Sequence, residues 1–206
     1  MKNIDLSLYL VTDDIGNRER FLKVIEESIL GGVTIVQLRE KNMDTLDFYN
    51  LGLDVKEITS RYNIPLIIND RVDIALAVDA DGVHVGQSDM PCSVTRALIG
   101  DDRILGVSAT SIEEAEKAER DGADYIGSGA IFPTNTKDDA SLITKNDLEN
   151  IVNSVNIPVV AIGGITTENA SELNCIGIKG LSVVSAIMKS DNPKNTSEKL
   201  LNIFNS

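Results

Sequence analysis

Short apolar runs recur along the chain, and stretches with a helical spacing of apolar residues separate them. Most runs are rich in Val and Ile and are apolar almost without interruption. This pattern is typical of parallel strands that are covered on both faces. The sequence therefore predicts eight strands, at 8–13, 33–39, 65–70, 82–86, 104–108, 125–130, 158–164 and 180–186.

The intervening segments carry helix signals. Segment 18–30 repeats apolar residues about every 3.6 positions, as expected for one buried helix face. Ser111 is followed three residues later by Glu114, a capping-box pattern, and Gly122 stands where a helix would stop. We predict helices over 18–30, 111–120, 144–155, 169–175 and 197–204.

Strands that alternate with helices eight times predict a (β/α)8 TIM barrel with a closed parallel sheet. The alternative is an open doubly wound sheet, which would be expected to carry a glycine-rich dinucleotide fingerprint after its first strand. The corresponding stretch, VTDDIGNRE, has a single glycine. Because no linker or composition shift interrupts the chain, we predict one catalytic domain over residues 1–206.

Composition narrows the range of partners. The 206 residues, 42% of them hydrophobic, suffice for one sizeable core. The net charge of −13 disfavours nucleic acid, and the 4% aromatic content leaves few stacking platforms. The chain has neither an apolar run of ~18 residues nor an N-terminal export signal, so we expect no membrane partner and a cytoplasmic location. We leave open whether the chain forms a homo-oligomer.

The most informative segment is GVTIVQLREK, at 32–41. Strand side chains alternate between faces, so Gln37, Arg39 and Lys41 share one face if the strand continues. TIM barrels carry their chemistry at the carboxyl ends of the strands. An amide and two cations at such an end predict a polyanionic small-molecule ligand. The alternative is that Arg39 and Lys41 are solvated loop charges.

Two carboxylates follow neighbouring strands. Asp70 comes after the third strand and Asp89 after the fourth. Adjacent strands lie ~4.8 Å apart, so the two groups could share one cation, and hard oxygen ligands beside a phosphate favour Mg²⁺. The alternative is that each aspartate caps the next helix or pairs with Arg71.

The seventh and eighth strands suggest a phosphate site. Gly163 and Gly164 precede a predicted helix start, where backbone N–H groups bind anions, and Val184 and Ser185 end the neighbouring strand. A tight turn would need the same glycines. The loop FPTNTK at 132–137 is a candidate lid, although a surface loop would look similar. We interpret His84 as a packed core group outside the site.

These motifs, taken in order, resemble those of the thiamin phosphate synthase family over nearly the whole chain. The matching stretches are LYLVTD, VQLREK, IINDR, DGVHVGQSD, LGVSA, DYIGSGAIFPTNTK, PVVAIGGI and VVSAI. Each stretch is modest alone, but the set is specific. The family joins an aminopyrimidine methyl diphosphate to a thiazole phosphate, which gives thiamin phosphate and pyrophosphate.

The resemblance implies a role for each matching residue. Gln37, Arg39, Lys41 and Asn69 would bind the pyrimidine diphosphate, and Asp70 and Asp89 would hold Mg²⁺ on it. Ser108 would contact the pyrimidine and Lys137 the diphosphate, and Ser108, Lys137, Arg39 and Lys41 are the implied catalytic residues. The implied thiazole phosphate site consists of Thr134, Thr136, Gly164, Val184 and Ser185. A dissociative reaction through a carbocation is implied as well.

Two departures and two alternatives accompany this interpretation. Ala130 stands where the family usually has proline, and Thr110 where many members have histidine. A thiazole tautomerase of the same family would not need the diphosphate and Mg²⁺ site that Asp70 and Asp89 suggest. A non-catalytic sensor of thiamin phosphate could lack the cationic residues that are present here.

Overall fold

The strands close into a barrel in chain order, each parallel to its neighbours. The computed structural model describes residues 4–13, 16–134 and 142–206. The strands are β1 (Leu8–Val11), β2 (Ile35–Leu38), β3 (Leu66–Asn69), β4 (Gly82–Val85), β5 (Ile104–Ser108), β6 (Tyr125–Ser128), β7 (Val159–Ile162) and β8 (Gly180–Val183). The predicted closed parallel barrel is confirmed, and the open sheet is wrong.

Helices surround this barrel. They are α1 (Arg18–Leu30), α2 (Thr45–Arg61), α3 (Val72–Ala77), α4 (Cys92–Ile99), α5 (Ile112–Arg120), α6 (Lys145–Ser154), α7 (Ser185–Met188) and α8 (Pro193–Phe204). A 3₁₀ helix, Ala170–Leu173, lies between β7 and β8. Within the described ranges, no helix is both long and apolar enough to cross a bilayer.

Side-chain alternation divides the apolar residues into two clusters. Val36 and Leu38 belong to the large cluster between sheet and helices. Ile35 belongs to a smaller cluster with Tyr9 and Tyr125, inside the barrel. Gln37 has the parity of Ile35 and therefore faces the interior, opposite to Val36 and Leu38.

Local caps explain where several helices begin. The Asn17 side chain accepts a hydrogen bond from Arg20 N at 2.8 Å and starts α1 where it was predicted. Thr144 and Asp147 form a complete capping box at α6. At α5, Ser111 Oγ accepts from Glu114 N. The Glu114 carboxylate accepts from Thr110 N instead of Ser111 N, so only half of the predicted capping box forms.

Three predicted boundaries are corrected. The helix predicted over 169–175 is a 3₁₀ helix of four residues, because the Asn169 side chain bonds Gly164 O and Thr166 N and so holds a turn. The last helix begins at Pro193, four residues before its predicted start at 197, because Asn192 caps it and proline fits its first turn. Ser185 does not end β8 but begins α7.

Candidate active site

Polar side chains occupy the last interior position of four adjacent strands, β2 to β5. These residues are Gln37, Asn69, His84 and Ser108. Asn69 pairs with His84 in the sheet register. Gln37, Asn69 and His84 are buried, although most of the barrel interior is apolar. Such a layer at the carboxyl ends of barrel strands is where this fold places its chemistry.

A continuous hydrogen-bond chain crosses the barrel interior from β2 to β5. Gln37 Nε2 donates to Tyr9 Oη at 2.7 Å, and Tyr9 Oη lies 2.6 Å from Tyr125 Oη. His84 bridges the rest, with Nδ1 2.9 Å from Tyr125 Oη and Nε2 2.9 Å from Ser108 Oγ. We call Gln37, Tyr9, Tyr125, His84 and Ser108 the interior chain. It joins two residues that the sequence assigned to the site through three that it did not.

His84 is buried and hydrogen-bonded, as its interpretation as a core group required. Its ring nevertheless contacts Ser108, so it also supports the site. Strand alternation could have indicated this position. In the sheet, His84 pairs with Asn69 on the neighbouring strand, and both side chains face the interior. No local signal marks Tyr9 or Tyr125, since an aromatic residue in an apolar strand is usually core.

The predicted acidic pair forms at the barrel rim. Lys41 Nζ lies 2.6 Å from Asp70 Oδ2, and Asp89 Oδ2 accepts a hydrogen bond from Gly86 N at 2.8 Å. Burial, and then the neighbouring Asp70 side chain, raise the pKa of Asp89. Asp70 has a left-handed backbone with φ of 59°, and strained residues of this kind cluster at functional sites.

The alternative roles for the two aspartates are not realised. Arg71 pairs with Asp73 at 2.6 Å, not with Asp70. The residues at the N-caps of α3 and α4 are Arg71 and Pro91. Asp70 and Asp89 therefore stand side by side at the rim without capping a helix.

The two predicted cations differ in exposure. The Arg39 side chain is only 16% exposed and lies 3.6 Å from Asp13, measured from Nη1 to Oδ1. Thr12 Oγ1 fixes its backbone by accepting from Arg39 N at 3.0 Å. The Lys41 side chain is 47% exposed and is held by Asp70. Arg39 is therefore not a solvated loop charge, and Lys41 is solvated only in part.

An unpaired donor and a hydrogen bond between two loops are further features of the floor of the site. The Asn69 side-chain nitrogen is buried and has no hydrogen-bond partner among the described residues. A buried donor of this kind is costly unless a ligand or water satisfies it. Gln87 Nε2 donates to Ser108 O at 2.7 Å, which ties the loop after β4 to the end of β5.

The segment after β6 packs against the turn after β7. Phe132 N donates to Gly163 O at 3.1 Å, and a Cβ at Gly164 would lie 2.5 Å from Pro133 O. Gly164 therefore leaves room for the backbone that leads into Thr134. Val184 and Ser185 follow the adjacent strand β8. Thr136 and Lys137 lie outside the described residues.

The residues present fit a magnesium ion. Asp70 and Asp89 supply two hard oxygen ligands, and the pKa of Asp89 is raised by burial and then by the neighbouring Asp70, whose charge a cation would offset. No group of three or more His, Cys, Asp or Glu side chains in the described ranges could hold a metal. Mg²⁺ usually takes one or two carboxylates and completes its shell with substrate phosphate and water.

The chain is similar to known proteins named thiamine-phosphate synthase. A family model described as thiamine monophosphate synthase matches residues 8–187. The thiamine-phosphate synthase of Methanobrevibacter smithii is 68% identical over 204 residues, covering 99% of this chain and 98% of that protein. The thiamine-phosphate synthase of Clostridium tetani is 56% identical over 205 residues, covering 99% and 98%. Thiamine phosphate pyrophosphorylase from Pyrococcus furiosus superposes with a TM-score of 0.87 at 41% identity, covering 98% and 96%.

Proposed function

The chain belongs to the thiamine monophosphate synthase family, and on that premise we propose that its barrel rim binds an aminopyrimidine methyl diphosphate and stabilises the departing pyrophosphate. The enzyme class is a transferase of the pyrophosphorylase type. The observation that carries the proposal is the contact of Lys41, Asp70 and Asp89 beyond the carboxyl ends of β2, β3 and β4.

The diphosphate would lie against Arg39 and Lys41. Lys137, which follows β6 in the sequence, would be a third cation. Arg39 and Lys41 each lie beside or near a carboxylate in the free protein, Arg39 near Asp13 and Lys41 beside Asp70. A unit charge pair 4 Å apart is worth about 1 kcal/mol in water but about 4 kcal/mol at an effective dielectric of 20. Excluding water from the rim would therefore strengthen the hold on the diphosphate.

Mg²⁺ bound by Asp70 and Asp89 would supply positive charge at the departing diphosphate. The donor Nδ2 of Asn69 would bind the same substrate, a role supported by its burial without a hydrogen-bond partner among the described residues. Gln37 and Ser108 would hold the pyrimidine ring at the floor of the site.

The dissociative reaction that the family resemblance implies would suit this charge distribution. The bond between the pyrimidine methylene carbon and the diphosphate oxygen breaks, and its electron pair leaves with pyrophosphate. The methylene cation is stabilised by the pyrimidine ring, and the lone pair of the thiazole nitrogen then forms the new C–N bond. Stabilisation of the leaving group would be the main catalytic effect, with no covalent enzyme intermediate.

The thiazole phosphate would bind on the opposite side of the rim. Gly164, Val184 and Ser185 follow β7 and β8, which is the common phosphate site of this fold. Thr134 and Thr136 would close that site from the loop after β6. We also propose the cytoplasm as the location of this synthesis.

The thiazole tautomerase alternative is not favoured, because the curated relatives are named synthases. The test is synthesis of thiamin phosphate from both phosphorylated substrates and Mg²⁺ by the purified chain. We expect the product with Mg²⁺, and loss of nearly all activity with a chelator or in Asp89→Asn. Asp54→Asn, which removes an exposed carboxylate paired with Arg18, serves as the matched control with normal activity.

Unchanged synthesis in the chelator, or equal rates in Asp89→Asn and Asp54→Asn, would contradict the proposed Mg²⁺ site. Conversion of a thiazole tautomer without any thiamin phosphate would favour the isomerase.

A further inference from the structure

We propose that the interior chain holds Ser108 as a hydrogen-bond donor to a ring nitrogen of the bound aminopyrimidine, so that Tyr9, Tyr125 and His84 are positioning residues. The inference rests on the proposed function for the identity of the ligand. The direction of the hydrogen bonds is argued from the ligand-free protein alone and is independent of the proposed function.

The direction follows from the donor at one end. An amide nitrogen donates and does not accept, so Tyr9 accepts from Gln37 Nε2. Gln37 and Tyr125 are the two hydrogen-bond partners of Tyr9 Oη among the described residues, so the single hydrogen of this buried hydroxyl is satisfied only if Tyr125 accepts it. Tyr125 then gives its own hydrogen to Nδ1 of His84.

The same logic sets the tautomer of the histidine. Because Nδ1 of His84 accepts, the proton of the neutral imidazole must lie on Nε2. Nε2 donates to Ser108 Oγ at 2.9 Å. The hydrogen of Ser108 is therefore left for the ligand.

Both tyrosines keep their protons, which this direction requires. Tyr9 and Tyr125 are 1% and 0% exposed. Burial raises the pKa of both phenols above the ordinary value. Each hydroxyl therefore accepts one hydrogen bond and donates its own hydrogen to the next residue of the interior chain.

The backbone makes room for this chain at Gly106. A Cβ there would lie 2.3 Å from Tyr125 Oη and 2.5 Å from His84 Nδ1, inside the hydrogen bond between them. The backbone of Gly106 is not left-handed, so a need for conformational freedom does not explain why this residue is a glycine. What the position requires is the absence of a side chain.

A serine held as a donor selects the protonation state of the substrate. A neutral pyrimidine nitrogen accepts a hydrogen bond, whereas a protonated one would present a second donor to Ser108. The site would thus prefer the neutral ring, which has the electron density to stabilise the methylene cation. A protonated ring would oppose the loss of pyrophosphate.

The direction can be measured in the free protein, because His84 is the only histidine in the chain. Nuclear magnetic resonance of the ¹⁵N-histidine-labelled wild type reports which ring nitrogen carries the proton. We expect a neutral ring protonated at Nε2. A ring protonated at Nδ1, or at both nitrogens near neutral pH, would overturn the inference.

Kinetics test the functional consequence. Tyr125→Phe removes one oxygen from the interior chain, and we expect a fall in kcat of about tenfold, equivalent to ~1.4 kcal/mol. The KM for the thiazole phosphate should not change, because that substrate binds elsewhere. Tyr62→Phe is the matched control, since it loses one hydrogen bond to Glu26 on the outer helices.

A double variant separates positioning from a general loss of stability. If Tyr125 acts through Ser108, Tyr125→Phe will lower kcat no further in a Ser108→Ala background. Independent, multiplied effects in the double variant, or a Tyr125→Phe rate equal to that of Tyr62→Phe, would contradict the inference.

The two proposals fail in different ways. A wild type that makes no thiamin phosphate would contradict the proposed function, whatever the tautomer. An active wild type with His84 protonated at Nδ1 would contradict only the inference about Ser108.

Discussion

Two carboxylates share the rim with one lysine, so the free site carries more negative than positive charge at this point. Asp70 already accepts from Lys41 at 2.6 Å, and Asp89 has its pKa raised by burial and by Asp70. A raised aspartate pKa means that the folded protein binds more protons than the unfolded chain between the two pKa values. Stability is then lost as the pH rises through that interval.

We therefore predict that Asp89→Asn stabilises the metal-free protein at pH 7 while it abolishes the Mg²⁺-dependent activity. Exposed charge pairs are worth about 0.2–1 kcal/mol, so Tm should rise by about 1–3 °C. Thermal unfolding in a chelator measures this. The gain should shrink as the pH falls toward 3, because Asp89 is then protonated in both states. A Tm of Asp89→Asn below that of the wild type at pH 7 would show that the ionised pair Asp70 and Asp89 does not destabilise the fold.

At the residue scale, the sequence predicted the side chains that face solvent or ligand better than those that support them. Strand alternation indicated that Gln37 lies on a shared functional face, and in the structure it lies on the interior face with Ile35. Tyr9 and Tyr125 are 116 residues apart in sequence and meet only when the barrel closes. Nothing near either tyrosine distinguishes a phenol in a hydrogen-bond chain from an ordinary core ring.

At the scale of elements, seven of the eight predicted strands were longer than the observed ones, and only β5 has its predicted bounds, 104–108. Segment 158–164 contains β7, but its last two residues are the left-handed glycines of the following turn. Apolar composition continues past a strand end wherever the loop still packs on the core, as Ile131 and Ile165 do. Hydrophobicity alone therefore cannot locate the end of a strand.

Helix starts were more predictable where a side chain caps the backbone. Thr144 accepts from Asp147 N, and the Asp147 carboxylate accepts from Thr144 N and Oγ1. These bonds lower the pKa of Asp147. A lowered carboxylate pKa contributes stability that is present above the unfolded pKa and is lost as the pH falls through the folded one.

We predict that Thr144→Ala lowers Tm by about 2–4 °C at pH 7, because it removes the cap of α6. Thr144→Ser keeps the hydroxyl and should stay close to the wild type. The difference between Thr144→Ala and the wild type should narrow under acid conditions, where Asp147 is protonated. Circular dichroism melts at both pH values check this, and an equal loss in the serine variant would rule out the hydroxyl as the cause.

For the whole molecule, the closed barrel depends on a seam between the first and last strands. β1 and β8 pair with Leu8 opposite Leu181, and Leu181 N donates to Ser7 O at 3.1 Å. A Cβ at Gly180 would lie 1.6 Å from Leu6 O. The eightfold alternation of strands and helices predicted the closure, but the close approach at this glycine is a property of the assembled barrel.

We predict that Gly180→Ala destabilises the fold by roughly 2–3 kcal/mol or more, since overpacking a core costs about 1–3 kcal/mol and the clash here is with backbone. Gly16→Ala is the control, because its Cβ would meet nothing within 4 Å, although its φ of 75° makes the alanine cost about 1–2 kcal/mol. Urea unfolding of both variants measures the difference. Equal losses would mean that the seam tolerates a side chain.

The proposed anionic substrates would bind to a molecule whose own net charge is −13. The rim cations and the proposed divalent ion would supply the attraction locally, since exposed charges beyond about 8 Å are largely screened at physiological salt. This requirement was predictable from composition together with the rim residues. The division of roles between Lys41, which pairs with Asp70, and Arg39, which lies near Asp13, was not.

The most direct test is calorimetric titration of the wild type and Asp89→Asn with pyrophosphate, with and without Mg²⁺. We expect the wild type to bind pyrophosphate at least tenfold more tightly with Mg²⁺ than in a chelator, and the variant to bind weakly in both. Equal affinities of wild type and variant for pyrophosphate with Mg²⁺ would contradict a metal-assisted pyrophosphate site at the barrel rim.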